Sequence, residues 1–150
     1  MTPARRRTRK SFVAAPVTAL APRRLLLDTH VWLWWQADDT RLGLEARESI
    51  RRASEVRFSA ASAWEIAIKV AIGKLKLPKG ADIAAELDNS GFLALPVEIA
   101  HADDVRRLPS LHTDPFDRLL VSQARTEGLT LVTAHRQLAA YGIPLLDATL

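Results

Sequence analysis

Short apolar runs alternate with longer amphipathic stretches along most of the chain. The first firm run, Leu25–Leu27, ends at Asp28, and three consecutive leucines predict a short strand that is buried on both faces. Further apolar runs predict strands at residues 56–59, 92–95, 129–133 and 144–146. The stretches between the strands predict helices at residues 30–37, 44–53, 62–72, 81–89, 97–108, 114–126 and 135–141. Strands that alternate with helices predict an α/β domain whose parallel sheet is covered on both faces.

Two of the predicted helices begin with side chains that suit a helix start. Ser62 is a natural N-cap, and Glu65 lies three residues later, which predicts a capping box. Asp114 is the predicted N-cap of a later helix, with Pro115 at its first position and Asp117 at its third. Glu65 and Asp117 are therefore both expected in the first turn of a helix.

The positive charge is concentrated at the start of the chain. The formal net charge is +4, yet residues 1–24 contain seven basic residues and no acid, so residues 25–150 carry a net charge of −3. We therefore predict a basic arm at residues 1–23 and one domain at residues 24–150. The arm is interpreted as a flexible tail or an over-extended start of the reading frame; an export signal is the alternative, although Pro16 interrupts its apolar segment.

The composition limits the chemistry and the compartment. The chain has no cysteine, which excludes disulfides and thiolate-bound zinc and fits a reducing compartment, so we expect a cytoplasmic protein. No stretch approaches the roughly 20 apolar residues of a membrane span.

Four acids are predicted at or near one edge of the sheet, beyond the carboxyl ends of the strands, where open α/β sheets bind ligands. They are Asp28, Glu65, Asp114 and Asp117. Carboxylate oxygens are hard ligands that suit Mg²⁺ or Mn²⁺. Each acid also has a structural interpretation as a cap or a helix-dipole partner. A phosphatase with an aspartyl nucleophile is a weaker hypothesis, because Asp28-Thr29-His30 lacks a second acid two positions after Asp28.

Four segments carry distinctive motifs: LLLDTHVWLWW at residues 25–35, SAASAWEIAIK at 59–69, HTDPFDRLLVSQA at 112–124 and LVTAHRQL at 131–138. Together they closely resemble the PIN-domain family, and within it the VapC-type toxins of bacterial toxin–antitoxin pairs. The resemblance implies a three-layer α/β/α fold with a parallel sheet of four or five strands. It also implies a metal-dependent endoribonuclease that uses Mg²⁺ or Mn²⁺ to hydrolyse RNA and is inhibited by a cognate antitoxin.

The resemblance also assigns roles to individual residues. Asp28, Glu65 and Asp117 match the family's metal-binding acids, and Thr133 matches a hydroxyl residue that orients water or a neighbouring acid. Asp114 is expected to assist from outside the metal's own ligands. Arg118 and Lys69 could contact RNA phosphates, although solvated or ion-paired side chains are the alternative.

One position departs from the family pattern. The family commonly places an acid two residues after the threonine, whereas this chain has His135 there. His135 could bind Mn²⁺ as a neutral imidazole, contact phosphate when protonated, or mark a weakened site. The alternative function is therefore a catalytically impaired PIN domain that binds RNA or protein. His30 and His112, which also fall near the crevice, are expected to be exposed structural residues.

Three tryptophans within four positions cannot all point inward from one helix. One or two of Trp32, Trp34 and Trp35 are expected to pack into the core, and at least one is predicted to be exposed or to lie in an interface. For these three residues the resemblance implies an apolar groove that receives the antitoxin. The resemblance further implies a homodimer or a toxin–antitoxin hetero-oligomer.

Overall fold

The computed structural model describes residues 23–150, which form one parallel sheet with helices on both sides. The five strands are β1 (Arg24–Leu27), β2 (Glu55–Ser59), β3 (Leu93–Leu95), β4 (Thr130–Thr133) and β5 (Leu145–Asp147). Their order in the sheet is β3-β2-β1-β4-β5, and every pair is parallel. The predicted α/β class and the parallel sheet are confirmed, with five strands. The predicted arm lies outside the described residues, except for Arg23.

Helices connect the strands in the expected alternation. The α-helices are α1 (Thr29–Gln36), α2 (Leu44–Arg52), α3 (Ala60–Ala71), α4 (Ile83–Ser90), α5 (Ile99–Asp104) and α6 (Pro115–Glu127). Two 3₁₀ segments, Val105–Arg107 and Arg136–Tyr141, complete the set. No helix within residues 23–150 is both long enough and apolar enough to cross a membrane.

The central strand β1 separates two apolar cores. Leu25 and Leu27 belong to one core with Trp32 and Phe58, whereas Leu26 belongs to the other. All three leucines are fully buried. Because alternate side chains of a strand point to opposite faces, this arrangement requires apolar residues at every position of β1. The prediction of a strand buried on both faces is confirmed.

The predicted start of α3 was wrong. The helix begins at Ala60, and its N-cap is Ser59, whose hydroxyl accepts the Ala61 N–H at 3.0 Å. Ser62 lies inside the first turn and is buried, and its Oγ has no hydrogen-bond partner. The capping box with Glu65 is therefore wrong as well. The reason is that β2 passes directly into α3, so the last strand residue also caps the helix.

The helix predicted at residues 97–108 is shorter and ends in a 3₁₀ turn. Helix α5 stops at Asp104, and Val105–Arg107 continue as a 3₁₀ segment. Arg118 donates to the carbonyls of Val105 and Leu108 at 3.1 and 3.4 Å. The carbonyl groups at this helix end are therefore hydrogen-bonded by a residue distant in sequence. The local sequence pattern does not reveal such a contact.

Candidate active site

Asp28 lies at the carboxyl end of β1, at the topological switch point of the sheet, where the chain stops adding strands on one side of β1 and begins to add them on the other. The strand order places β2 and β4 on opposite sides of β1, and crevices for ligands form at such points. Asp28 is 2% exposed and caps α1, where its Oδ1 accepts the Thr29 N–H at 2.7 Å. Its Oδ2 accepts the hydroxyl of Thr133 from the end of β4, also at 2.7 Å. The carboxylate is therefore held by one bond from each of two neighbouring segments.

Asp117 is the second buried acid of the crevice. It lies in the first turn of α6 and is 5% exposed. Burial, together with the negative charges of Asp28 and Asp114, raises its pKa above the ordinary value. Its Oδ2 lies 2.8 Å from His112 Nε2 and 3.0 Å from His135 Nδ1. Two imidazoles therefore contact the same carboxylate oxygen.

The N-cap residue of α6, Asp114, fixes the backbone of the helical turn that carries Asp117. Asp114 Oδ1 accepts the N–H groups of Phe116 and Asp117 at 2.8 and 3.1 Å, so the predicted N-cap is confirmed. Pro115 occupies the first helical position as predicted. Asp114 therefore fixes the first helical turn, and a catalytic part for its carboxylate stays a prediction.

His30 joins the two loops that carry the site. Its Nε2 accepts the backbone N–H of Ala134 at 3.0 Å, and its Nδ1 lies 3.5 Å from Asp28 Oδ2. Because Nε2 is an acceptor, a neutral ring carries its proton on Nδ1, the side that faces Asp28. Burial lowers the pKa of His30, which favours this neutral form.

The expectation that His30 and His112 are exposed was wrong, whereas their expected structural role stays a prediction. Their side chains are only 24% and 22% exposed, and each lies against one of the two central carboxylates. The sequence offers one indication that these histidines lie near the acids: His30 is two residues from Asp28, and His112 is five residues from Asp117. Sequence distance does not reveal which ring atom points at an acid.

The donor groups fit a divalent cation. Asp28, His30 and His135 each offer a ligand atom, and the three atoms lie within 4.8 Å of one another. The pKa of Asp117 is raised first by burial and then by the charges of Asp28 and Asp114, and a nearby cation would offset the part due to these charges. Among residues 23–150, Asp28, Glu65 and Asp117 do not form an equally compact set. Their joint role as metal ligands stays a prediction.

Residues 25–144 match the PIN domain family, which is four-fifths of the chain. The chain belongs to the PIN domain family. It is 30% identical over 122 residues to Ribonuclease VapC22 of Mycobacterium tuberculosis (strain ATCC 25618 / H37Rv), an alignment that covers 80% of this chain and 93% of the relative. The family resemblance inferred from the four sequence segments is confirmed.

Solved structures show the same PIN fold at low sequence identity. VapBC2 from Rickettsia felis, bound to a promoter DNA fragment, superposes with a TM-score of 0.62 and 14% identity, covering 82% of this chain and 97% of that one. DNA-bound VapBC from Salmonella typhimurium gives 0.63 and 18%, covering 83% and 98%. At these identities the likeness concerns the fold alone.

Glu65 and Lys69 form an ion pair on α3 of this PIN domain. Lys69 Nζ lies 3.1 Å from Glu65 Oε2, at the i,i+4 spacing of a helix, and the Glu65 side chain is 12% exposed. Glu65 also lies close enough to His30 to influence that imidazole electrostatically. The two residues therefore face the crevice from its third side, while their predicted contacts to metal and RNA stay untested.

Arg118 is held by the protein itself. Its Nη1 donates to the carbonyl of Pro109 at 2.9 Å and to the Tyr141 hydroxyl at 3.1 Å, in addition to its bonds to Val105 and Leu108. The guanidinium thus ties the start of α6 to the segment before it. An RNA contact by Arg118 stays a prediction and would have to coexist with these bonds.

The tryptophans separate into core and surface positions. Trp32 is 3% exposed and packs against Phe58, so its predicted place in a partner groove was wrong. Trp34 and Trp35 are partly buried, and Trp34 makes an edge contact with His30 at 4.9 Å between ring centroids. The exposed tryptophan is Trp64 on α3, at 64%. The crowded WLWW segment therefore serves the core and the crevice.

We predict that Arg118→Lys destabilises the domain although it keeps the positive charge. An ammonium group cannot reproduce a planar fork that spans several carbonyl groups, and hydrogen bonds of charged groups are worth about 1.5–3 kcal/mol each. Chemical denaturation should show a loss of that order. Arg136→Lys is the matched control, because Arg136 is 79% exposed and makes one contact, to Asp147. Equal stability of the two variants would contradict the structural role of Arg118.

Proposed function

We propose that this chain is the toxin of a type II toxin–antitoxin pair, acting as a metal-dependent endoribonuclease that hydrolyses RNA phosphodiester bonds. The observation that carries the proposal is the pair of buried carboxylates, Asp28 and Asp117, beside Thr133 at the carboxyl edge of the sheet. Membership of the PIN family and the similarity to a protein named Ribonuclease VapC22 support it.

The protein's own groups prepare Asp28 for this chemistry. The bonds from the Thr29 N–H and the Thr133 hydroxyl fix the plane of the carboxylate. Both donors are neutral, so neither forms an ion pair with Asp28 that a cation would have to displace. Thr133 Oγ1 in turn accepts the backbone N–H of His135 at 3.0 Å, so the same hydroxyl donates to Asp28 and accepts from the chain at His135. A small change at Thr133 would therefore reach both Asp28 and His135.

Asp28, Asp117 and Glu65 would hold the cation, with His135 as a further ligand, because both nitrogens of His30 are already engaged. When bound, Mg²⁺ or Mn²⁺ would activate water and offset charge on the phosphodiester. Asp117 is buried beside two other acids, so a nearby positive charge would stabilise its ionised form. The mixed oxygen and nitrogen donors favour Mn²⁺ over Mg²⁺, because imidazole is a softer ligand than carboxylate.

We predict that Asp28→Asn abolishes RNA cleavage. The amide keeps the size of the side chain but removes the charge, and loss of one electrostatic group in an active site costs about 100- to 1000-fold in rate. The measurement is cleavage of total bacterial RNA by antitoxin-free protein with Mg²⁺ or Mn²⁺, with EDTA as a second negative control. Asp88→Asn, a change on the exposed surface of α4, should cleave normally. Equal cleavage by the wild type and Asp28→Asn would exclude this crevice as the active site.

The alternative function, an impaired PIN domain that binds RNA or protein, rests on one contact. His135 Nδ1 lies 3.0 Å from Asp117 Oδ2 and 3.9 Å from Asp28 Oδ2, so an imidazole stands between the two carboxylates where the family commonly has an acid. This ring could serve as a metal ligand or compete with the cation for the carboxylates. The two possibilities predict different effects of an acid at position 135 on the metal preference and the rate of cleavage.

We predict that His135→Asp shifts the metal preference of cleavage toward Mg²⁺, because a carboxylate is a harder ligand than imidazole. The measurement is the ratio of cleavage rates in Mg²⁺ and Mn²⁺, with His135→Asn as the control that removes the ring without adding charge. An unchanged ratio would show that position 135 does not set the metal preference. If the wild type binds RNA but cuts with neither metal, restored cleavage by His135→Asp would support the impaired-domain alternative.

The proposed antitoxin would bind an apolar groove that the sequence did not reveal. The groove has a volume of about 960 Å³ and runs between α3 and α4. Its α3 side includes Ala63, Ala67 and Val70, and its α4 side includes Ile83 and Leu87. Small residues on α3 leave room for a partner helix to approach closely. Solved structures of VapBC pairs support a partner of this class.

We predict that Ala67→Glu abolishes neutralisation by the cognate antitoxin, because it places a charge in an apolar groove. RNA cleavage without antitoxin should be retained. The measurement is co-purification of the two proteins and suppression of cleavage by added antitoxin. Ala100→Glu, an exposed alanine in α5, is the matched control. Normal neutralisation of the Ala67→Glu variant would place the antitoxin elsewhere.

A further inference from the structure

Arginine and lysine have different distributions in this protein. After Lys10, every lysine lies between residues 69 and 79, and there is no acid between Glu65 and Asp82. Within residues 23–150, every arginine except Arg23 contacts a carboxylate or a backbone carbonyl. The described structure records no such partner for Lys74, Lys76 or Lys79. Uncompensated positive charge is thus concentrated in the loop between α3 and α4.

The loop presents these three lysines, here called the lysine strip, in a fixed arrangement. Leu75 and Leu77 alternate with them and pack against the apolar core, while the three lysines are exposed. The N–H groups of Lys74 and Leu75 both donate to the carbonyl of Lys69, at 2.8 and 3.2 Å. The loop is therefore anchored from inside, and its ammonium groups are directed outward before any ligand arrives.

The backbone of the loop is constrained at both ends. Gly73 and Gly80 adopt left-handed conformations, with φ of 74° and 77°, which favour glycine. Pro78 fixes its own φ, and its carbonyl accepts the Ala81 N–H at 3.0 Å. An anchored loop loses less conformational entropy on binding than a flexible one.

The lysine strip begins just beyond the far end of α3, the helix that carries Glu65 and Lys69. Glu65 faces the crevice, Lys69 follows one helical turn later, and α3 ends at Ala71. At 1.5 Å per residue, the loop begins about 10 Å along the helix from Glu65. A ligand that extends from the crevice along α3 would reach the strip next.

We propose that the lysine strip binds the phosphate backbone of single-stranded RNA that leaves the active site. This inference rests on the proposed ribonuclease function. Residues 23–150 carry a net charge of −1 with the strip included and −4 without its three lysines, so the rest of the folded surface repels a polyanion. Ammonium groups on flexible stems contact phosphates as point charges and do not require one base sequence. The strip therefore supplies affinity and direction, while the crevice supplies chemistry.

The test is the salt dependence of RNA binding in EDTA, which prevents metal-dependent cleavage. The probe is a single-stranded RNA of about 20 nucleotides, and the variant replaces Lys74, Lys76 and Lys79 with Gln. The plot of log K against log salt has a negative slope, and each lost phosphate contact on a single strand reduces the magnitude of that slope by about 0.7. Loss of three contacts should therefore reduce the magnitude by about 2. The triple Lys→Arg variant keeps the charges and should retain the slope.

A second triple variant controls for net charge. Arg51, Arg52 and Arg106 are exposed and pair with local acids, so changing all three to Gln alters the charge equally outside the strip. This control should lower the slope much less. An equal fall in both Gln variants would show that net charge, and not the strip, governs binding.

Cleavage separates this inference from the proposed function. With metal, the Lys→Gln variant should cut a long RNA with a raised KM, whereas kcat and the cleavage of a short oligonucleotide should be unchanged. A wild type that neither binds nor cuts RNA would refute the proposed function. A wild type that cuts RNA, beside a Lys→Gln variant with the same salt slope and KM, would refute the strip alone. Loss of antitoxin binding without any change in RNA binding would reassign the strip to the protein partner and overturn the inference.

Discussion

The structure depends on satisfying one buried carboxylate, Asp28, at the end of a strand that is buried on both faces. A buried carboxylate is costly unless it is hydrogen-bonded. Here the helix that follows β1 supplies one donor, the Thr29 N–H, and the neighbouring strand β4 supplies another, the Thr133 hydroxyl. Parallel pairing of β1 with β4 brings the two strand ends together. The same pairing that completes the sheet therefore builds the centre of the crevice.

Asp117 is also a buried carboxylate that needs hydrogen-bond partners, but its partners are of a different kind. It receives no neutral hydroxyl; its Oδ2 instead faces His112 and His135, and two nearby acids help to raise its pKa. Asp28 and Asp117 are thus unequal: one is fixed by neutral donors, and the other depends on groups that can change charge or move. His135 is one of those groups, so the residue at position 135 bears directly on the environment of Asp117.

The sequence predicted what depends on neighbours along the chain. The leucine run gave β1, the Asp114-Pro115 pair gave the start of α6, and the family motifs located Asp28, Asp117 and Thr133. The failures depend on contacts across the fold. Ser62 looked like a cap because nothing local shows that β2 continues directly into α3. His30 and Trp32 differ in exposure from the expected pattern because tertiary packing, not periodicity, determines it.

The separate use of arginine and lysine follows from the chemistry of the two groups. A guanidinium is planar and offers several donors in one fork, so it suits fixed partners such as the carbonyl groups around Arg118. An ammonium on a flexible stem suits a partner whose position varies, such as the phosphates of a mobile strand. A domain that must stay folded and also bind a polyanion gains from keeping these tasks apart. Arg118, despite its place beside Asp117, is already occupied by such bonds, whereas the exposed lysines beyond α3 keep their ammonium groups available for the phosphate contacts proposed for them.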